Sequence, residues 1–325
     1  MFSFCMSGHF RLVVRDAASG RVQEIREFDN LILDTGLDAY GQALNGDVDR
    51  CWVGTCDDPV LPEQERLICP LGAYANHIYT YGGEPTTRPA APNWVSSLTK
   101  RYRFSVGSAA GELREIGLSN AVPHDNAVFW CRCLILNSQG VPEPLVVGSN
   151  NTLDVHYTIR FHPPLTDTTG SFQLGDTVYN YTARPALIGE TGVGQGDSNI
   201  HVGAGICFRT LYSGGQLGPI TGSIEGFTAK EDINTYYSGG NPSALPYVNG
   251  THYRDYSQPL NLASGNFPNG IDGLLLGWHG AGNYYVPGGQ FLYFTQVKLD
   301  RPIPKESTNS LKLVMRVSWD RWQGA

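Results

Sequence analysis

The residues of this chain best suited to bind a metal ion lie on one short segment. Asp154, His156 and His162 alternate with apolar residues, so all three occupy the outward face of a predicted strand. A carboxylate and two imidazoles are ordinary ligands of transition metals, and the spacing would allow them to start one site. A solvated or subunit-facing strand explains the same pattern, and we favour it. We therefore predict no metal site and no cofactor.

Cysteine usage also argues against zinc. Cys131 and Cys133 alternate within an apolar strand and point to one face, which indicates buried, reduced thiols. The Cys-x-Cys and Cys-x4-Cys spacings lack the paired Cys-x2-Cys of structural zinc sites. Disulfides stay open as an alternative if the protein meets an oxidising medium. The seven cysteines are Cys5, Cys51, Cys56, Cys69, Cys131, Cys133 and Cys207.

No group of residues has the pattern of a catalytic site. Glu63 and Glu65 lie in a charged turn, and nothing places them on opposite sides of a sugar ring, as a glycosidase requires. The segment Gly192–Gly196 lacks the Lys-Ser/Thr pair and the following helix of a phosphate-binding loop. We predict that the protein is not an enzyme.

Aromatic residues concentrated in Gly- and Asn-rich segments of the second half are the best candidates for a binding role. Tyr and Trp offer large contact areas at a low cost in conformational entropy, which suits contact with a sugar or a protein. Packing between subunits of an oligomer is the alternative, and it stays open. The candidates are Tyr236, Tyr237, Tyr247, Tyr253, Tyr256, Trp278, Tyr284 and Tyr285.

Composition restricts the partners. A net charge of −7 argues against nucleic-acid binding, because a phosphate backbone needs a basic protein face. No apolar run reaches the ~18 residues that a membrane span requires. The N-terminal residues lack the basic region and apolar stretch of a secretory signal, which predicts synthesis in a cytoplasm and arrival at the working place by assembly.

A mainly β fold must position all these residues. The chain has 39 Gly, 20 Pro and 17 Tyr, a turn-rich composition typical of sandwiches and barrels. Two segments, 153–161 and 311–319, carry large apolar residues at all five odd positions, which predicts half-buried strands and suggests an internal duplication. We predict two antiparallel β-sandwich-like domains, 1–164 and 165–325. Asp34 would begin one short helix in the first, and residues 57–98 would be irregular.

Several motifs together resemble tail-tip and tail-fibre-associated proteins of tailed bacteriophages. The run Phe28–Gly41 is similar to the opening of many such proteins, and Val53-Gly54-Thr55 and Gly111–Leu118 follow as they do there. The strand Leu153–Arg160 and the segment Pro302–Trp319 fit the same pattern. The likeness covers most of the first half and the last ~35 residues, whereas residues 185–290 show none. Cys56 departs from it, since a small residue such as Gly is expected there.

The resemblance implies a structural virion protein near the distal tail, in the baseplate, tail tip or fibre, and no catalytic residue. Its partners would be other tail proteins and further copies of itself, with a trimer as the expected state. A host-surface glycan or protein would be the receptor, and the site of synthesis would be the host cytoplasm. Two alternatives remain: a carbohydrate-binding module or lectin outside any virion, and a depolymerase of surface glycans.

Overall fold

Alternation of apolar and polar residues makes most of the described part of this chain β-strand, as the sequence predicts. The computed structural model describes residues 2–42, 48–82, 96–122, 124–186, 205–220, 222–233, 243–279 and 293–324. These contain nineteen strands and one α-helix, which confirms the mainly β class and the short helix of the first half.

The elements of the first half are β1 (Phe2–Asp16), β2 (Val22–Ile32), α1 (Asp34–Gln42), β3 (Arg50–Gly54), β4 (Pro70–Gly82), β5 (Ser96–Phe104), β6 (Gly111–Leu113), β7 (Glu115–Ser119), a 3-10 turn (His124–Asn126), β8 (Phe129–Leu134), β9 (Leu145–Val147) and β10 (Asn151–His162). Those of the second half are β11 (Thr168–Leu174), β12 (Thr177–Ala186), β13 (Gly205–Gln216), β14 (Glu225–Asp232), β15 (Ser243–Ala244), β16 (Tyr253–Leu260), β17 (Ile271–His279), β18 (Tyr293–Ile303) and β19 (Leu311–Arg321).

Eight strands of the first half close into a barrel. β1 pairs antiparallel with β2 along one edge and with β10 along the other. The pairings run β10–β5–β4–β3–β7–β8–β2–β1 and return to β10. Buried side chains such as Phe10, Leu12, Val155 and Tyr157 fill the inside. A sandwich and a barrel share the same period-two alternation, so the sequence pattern does not distinguish between them.

Strands of the second half contribute to two sheets. β19 pairs parallel with the first residues of β1, and β16 and β15 continue outward from it, so hydrogen bonding crosses the expected boundary at 164/165. A separate six-stranded sheet has the order β11–β12–β18–β17–β13–β14. The division into two domains stays a prediction about independent folding units.

The two similar strands, β10 and β19, lie on opposite edges of β1. All five odd residues of β10 from Leu153 to Phe161 are buried, as their period predicts. In β19, Leu313, Val317 and Trp319 are buried, and the remaining two are partly buried. β10 runs antiparallel to β1 and β19 runs parallel to it, so the likeness of the two strands does not extend to their neighbours.

The prediction that residues 57–98 are irregular is wrong for β4. Its partly or fully buried positions Leu71, Ala73 and Ala75 are mostly small, whereas Tyr74 and Ile78 on the other face are exposed. The apolar alternation is therefore weak, and β4 is held in the sheet by its pairing with β3 and β5.

Helix α1 packs so closely that two of its positions require glycine. A Cβ atom at Gly36 would overlap the carbonyl oxygen of Trp130, and one at Gly41 would overlap the rings of Tyr247 and Trp319. Glycine has no Cβ atom, so it is the residue that permits this close approach. The Trp319 indole also donates to the Leu37 carbonyl over 2.9 Å, so β19 is fixed to the helix.

A buried ion pair holds residues 55–69, which we call the clamped loop, against the outer wall of the barrel. The side chains of Arg132 on β8 and Glu115 on β7 are both fully buried, with Nε and Oε2 2.7 Å apart. Arg132 also donates to the carbonyls of Asp58 and Pro59, at 3.0 and 3.1 Å, and to Gln64 Oε1 at 2.8 Å. Glu115 accepts from the backbone N–H groups of Ile68 and Cys69. All three guanidinium nitrogens of Arg132 and both carboxylate oxygens of Glu115 are thereby hydrogen-bonded, and five of the six bonds hold the loop.

Two cysteines close this loop, and three others pack in the barrel. Cys56 and Cys69 form a disulfide across the clamped loop. Cys51, Cys131 and Cys133 are free and buried, which confirms the prediction of buried thiols for the last two. Their burial raises the pKa of the Cys131 thiol to about 12. The side chain of Cys207 lies outside the described residues.

Replacement of Arg132 tests the role of the buried pair. We expect Arg132→Met to lower the free energy of unfolding by about 3–5 kcal/mol, because Glu115 is left buried without its cation. Denaturant unfolding measures this cost. The double variant E115Q/R132M is the control, and its loss should be smaller than that of R132M alone. A loss below about 1 kcal/mol for R132M would contradict the assigned role.

Candidate functional site

One buried carboxylate gathers three arginines on the outer wall of the barrel. Asp154 on β10 lies opposite Val13 of β1 and Arg103 of β5, and its side chain is fully buried. It accepts from Arg103 Nε and Nη2 at 2.5 and 2.8 Å, from Arg101 Nη2 at 3.1 Å and from Arg15 Nε at 3.3 Å. A carboxylate has about four lone-pair positions, so Asp154 is saturated.

The surroundings of Asp154 keep it charged and keep its neighbour His156 neutral. Burial alone would raise the pKa of Asp154, but the hydrogen bond from Arg103 and the charges of Arg101 and Arg103 bring it below its ordinary value. For His156, burial and the nearby charges of Arg101 and Arg11 lower the pKa to about 4. The imidazole therefore adds no charge at neutral pH.

The resulting surface is positive on an acidic protein. Arg11 on β1 lies opposite His156, two residues along β10 from Asp154, and pairs with Glu27 at 2.8 Å. We call the four arginines Arg11, Arg15, Arg101 and Arg103 the arginine cluster. Its four positive charges face two carboxylates, Asp154 and Glu27, which leaves an excess of two (4 − 2), against −7 for the whole chain. Such a surface favours carboxylate or phosphate groups as partners.

Asp154, His156 and His162, the three possible metal ligands in the sequence, are not arranged as a metal site. The oxygens of Asp154 are occupied by guanidinium groups, which repel cations. His162 lies six residues beyond His156, about 20 Å along the strand. Its Nε2 is 2.9 Å from Ser7 Oγ, and its ring stacks on Trp322. Among the residues that the structure describes, no group of three or more His, Cys, Asp or Glu side chains could hold a metal ion.

Three of the eight aromatic candidates have described side chains, and all three join parts of the fold. Tyr247 donates to Asp38 of α1 over 2.6 Å and stacks on Trp319. Tyr253 lies under the guanidinium of Arg316, 3.8 Å from its ring centre, and Tyr256 is buried in the core. Their contacts are those of packing within one chain.

The remaining aromatic candidates have no described side-chain environment. For Trp278, only the backbone, on β17, is described. Four residues lie outside the described part of the chain: Tyr236, Tyr237, Tyr284 and Tyr285. Their role in receptor or subunit contact stays a prediction.

A second polar surface lies on the six-stranded sheet, where β11, β12 and β18 form a shallow groove of about 460 Å³. Asn180 donates from its backbone and its side-chain amide to Asp300, at 3.0 and 2.8 Å, and these bonds lower the pKa of Asp300. Lys298 pairs with Asp272 over 2.5 Å. We call this surface the polar groove; its polar lining residues are Thr169, Ser171, Asn180, Thr182, Lys298 and Asp300.

No family model, curated protein or solved structure matches this chain. Among the described residues, no helix is long and apolar enough to cross a membrane.

The arginine cluster is not evident from the sequence. Arg11 and Arg15 are two of the odd residues of β1, and Arg101 and Arg103 hold the corresponding outward positions on β5. The alternation along each strand was a usable signal. The four arginines form one cluster because the strand register places β1 and β5 on either side of Asp154. That register cannot be read from any single segment of the sequence.

The depressed pKa values predict that the protein loses stability in mild acid. His162, like His156, has its pKa lowered to about 4, by burial and by the charge of Arg160. Between pH 6.5 and 4 the unfolded chain binds protons that the folded chain does not, so the free energy of unfolding falls as the pH drops through this window. Denaturant unfolding at pH 7, 5.5 and 4.5 measures the fall. We expect it to be smaller in H156Q/H162Q; an equal fall in both proteins would contradict these assignments.

Proposed function

We propose that this chain is a structural component of a bacteriophage tail, in the tip, baseplate or fibre, where it assembles with other tail proteins and contributes to host attachment. The observation that carries the proposal is the spatial grouping of the motifs that resemble tail proteins. These motifs are scattered over nearly 300 residues of sequence, yet they meet in one framework.

The contacts within this framework are specific. The motif at Val53–Thr55 includes the end of β3, where Gly54 pairs with Glu115 of the motif at Gly111–Leu118. The motif at Phe28–Gly41 contacts the motif at Pro302–Trp319 through the hydrogen bond from the Trp319 indole to the Leu37 carbonyl. β10 and β19, the last two motifs, both pair with β1. Side chains common to a family are expected to form such a frame when what they share is a scaffold.

A structural role also agrees with where charge and polarity lie. The arginine cluster and the clamped loop are held by hydrogen bonds on the barrel walls, and arginine is enriched in protein interfaces. Glu63 and Glu65 are both exposed on the clamped loop. A barrel that presents charged surfaces suits assembly with neighbouring proteins.

The polar groove favours a second candidate, a carbohydrate-binding module. Its hydroxyl, amide, carboxylate and ammonium groups are of the kinds that hydrogen-bond sugar hydroxyls, and its volume is in the range of ligand sites. In a tail protein the same groove would be the receptor contact, so this candidate differs in its setting more than in its chemistry.

Mass spectrometry of purified phage particles, with immunogold labelling, tests the tail assignment. We expect the chain in the particles at a fixed ratio to the other tail proteins, with the label at the distal tail. Its absence from infectious particles would overturn the proposal.

Binding of the purified chain to host-surface glycans tests the polar groove separately. We expect any binding to fall at least tenfold in N180A/T182A and to persist in the control K230A/K312A, whose exposed lysines lie on β14 and β19. Glycan binding by a chain that is absent from particles would favour the carbohydrate-binding module.

A further inference from the structure

The arginine cluster has more hydrogen-bond donors than acceptors. Each guanidinium carries five N–H groups, and the four bonds to Asp154 use only a few of those on Arg15, Arg101 and Arg103. Within the described part of the chain, Arg101 Nε is buried and has no acceptor. The three side chains are still 31–46% exposed. Part of each guanidinium can therefore be reached by the carboxylates of a partner, although Arg101 Nε itself is buried.

The clamped loop presents the opposite charge in a fixed shape. Asp57, Asp58, Glu63 and Glu65 are all exposed. Asp57 pairs with Arg114 at 3.2 Å, and Glu65 pairs with Arg66, the one basic residue of the loop, at 3.6 Å. Four carboxylates against two arginines leave an excess of two negative charges (4 − 2). The loop backbone is tied down by Arg132 and by the disulfide, so little conformational entropy is lost when it is bound. Leu61 and Ile68, 47% and 46% exposed, add apolar surface beside the carboxylates.

These two surfaces lie on opposite walls of the barrel. The arginine cluster is centred on β10, and the clamped loop is held by β7 and β8. In the ring of eight strands, β7 is four strands from β10 in either direction. One molecule therefore cannot bring its own loop to its own arginine cluster, whereas two molecules can.

We propose that copies of this chain bind one another head to tail, with the clamped loop of one copy docked on the arginine cluster of the next. Carboxylates of the loop would take the free guanidinium donors, and Leu61 would be covered at the contact. Because the two surfaces differ, the contact is heterologous, and its repetition produces a ring or an open filament. The inference rests on charge and geometry alone and does not depend on a tail setting.

Two sets of neutral substitutions separate the partners of this contact. The neutral-face variant is R15Q/R101Q/R103Q/D154N, in which Asp154→Asn ensures that no buried carboxylate loses its cations. The neutral-loop variant is D57N/D58N/E63Q/E65Q, all at exposed positions. The control K230Q/K312Q removes two exposed positive charges elsewhere. Circular dichroism and thermal unfolding check that each variant is folded; if the neutral-face variant is not, the neutral-loop variant alone carries the test.

Sedimentation velocity then measures the assembly. We expect the wild-type chain and the control to form assemblies larger than dimers at 10 mM salt and to dissociate to monomers at 1 M. The Debye length falls from about 30 Å to about 3 Å over this range, which screens the charges. Each neutral variant alone should stay monomeric at both salt concentrations. A monomeric wild-type chain at 10 mM salt, or a folded neutral variant that assembles like the wild type, would overturn the proposal.

Mixing the two neutral variants tests the head-to-tail geometry. The neutral-face variant keeps its loop and the neutral-loop variant keeps its arginine cluster, so one compatible contact remains per pair. We expect 1:1 dimers and nothing larger. Continued monomers, or assemblies larger than dimers, would show that the contact is not the one proposed.

Discussion

Pairing of β1 along both of its edges is the constraint on which the rest of the structure depends. Its residues 5–16 pair with β10, residues 8–15 pair with β2 on the other edge, and residues 2–6 continue that edge into β19. Barrel closure, the position of the second-half strands and the register that places arginines beside Asp154 all follow from this strand. Its inward residues Phe10, Leu12 and Val14 supply the matching part of the core.

Buried charge is the second organising feature, and it is used twice on the outside of the barrel. All three nitrogens of the Arg132 guanidinium and both carboxylate oxygens of Glu115 bond to one another or to the clamped loop, so their hydrogen bonds act within the molecule. Asp154 is also saturated, but its arginines are not. The cost of burying a carboxylate is offset in both places, and only the second leaves donors for a partner. This difference separates a structural ion pair from a candidate interface.

The sequence was sufficient for properties that depend on neighbours along the chain. The buried face of β10 and the helix at Asp34 follow from local period and residue type. The surroundings of Asp154 do not, since its arginine partners are 139, 53 and 51 residues away. Barrel closure and the placement of β19 are equally non-local. β4 was missed for a different reason, because small residues on its more buried side weaken the alternation that marks a strand.

The parallel pairing of β1 with β19 also sets an order of events during synthesis. Residues 2–6 obtain their partners on that edge only when residues 317–321 have left the ribosome. At about 5–20 residues per second, this delay is roughly 15 to 60 s. Throughout that interval the Phe2–Met6 edge is a template onto which another nascent chain can add a strand.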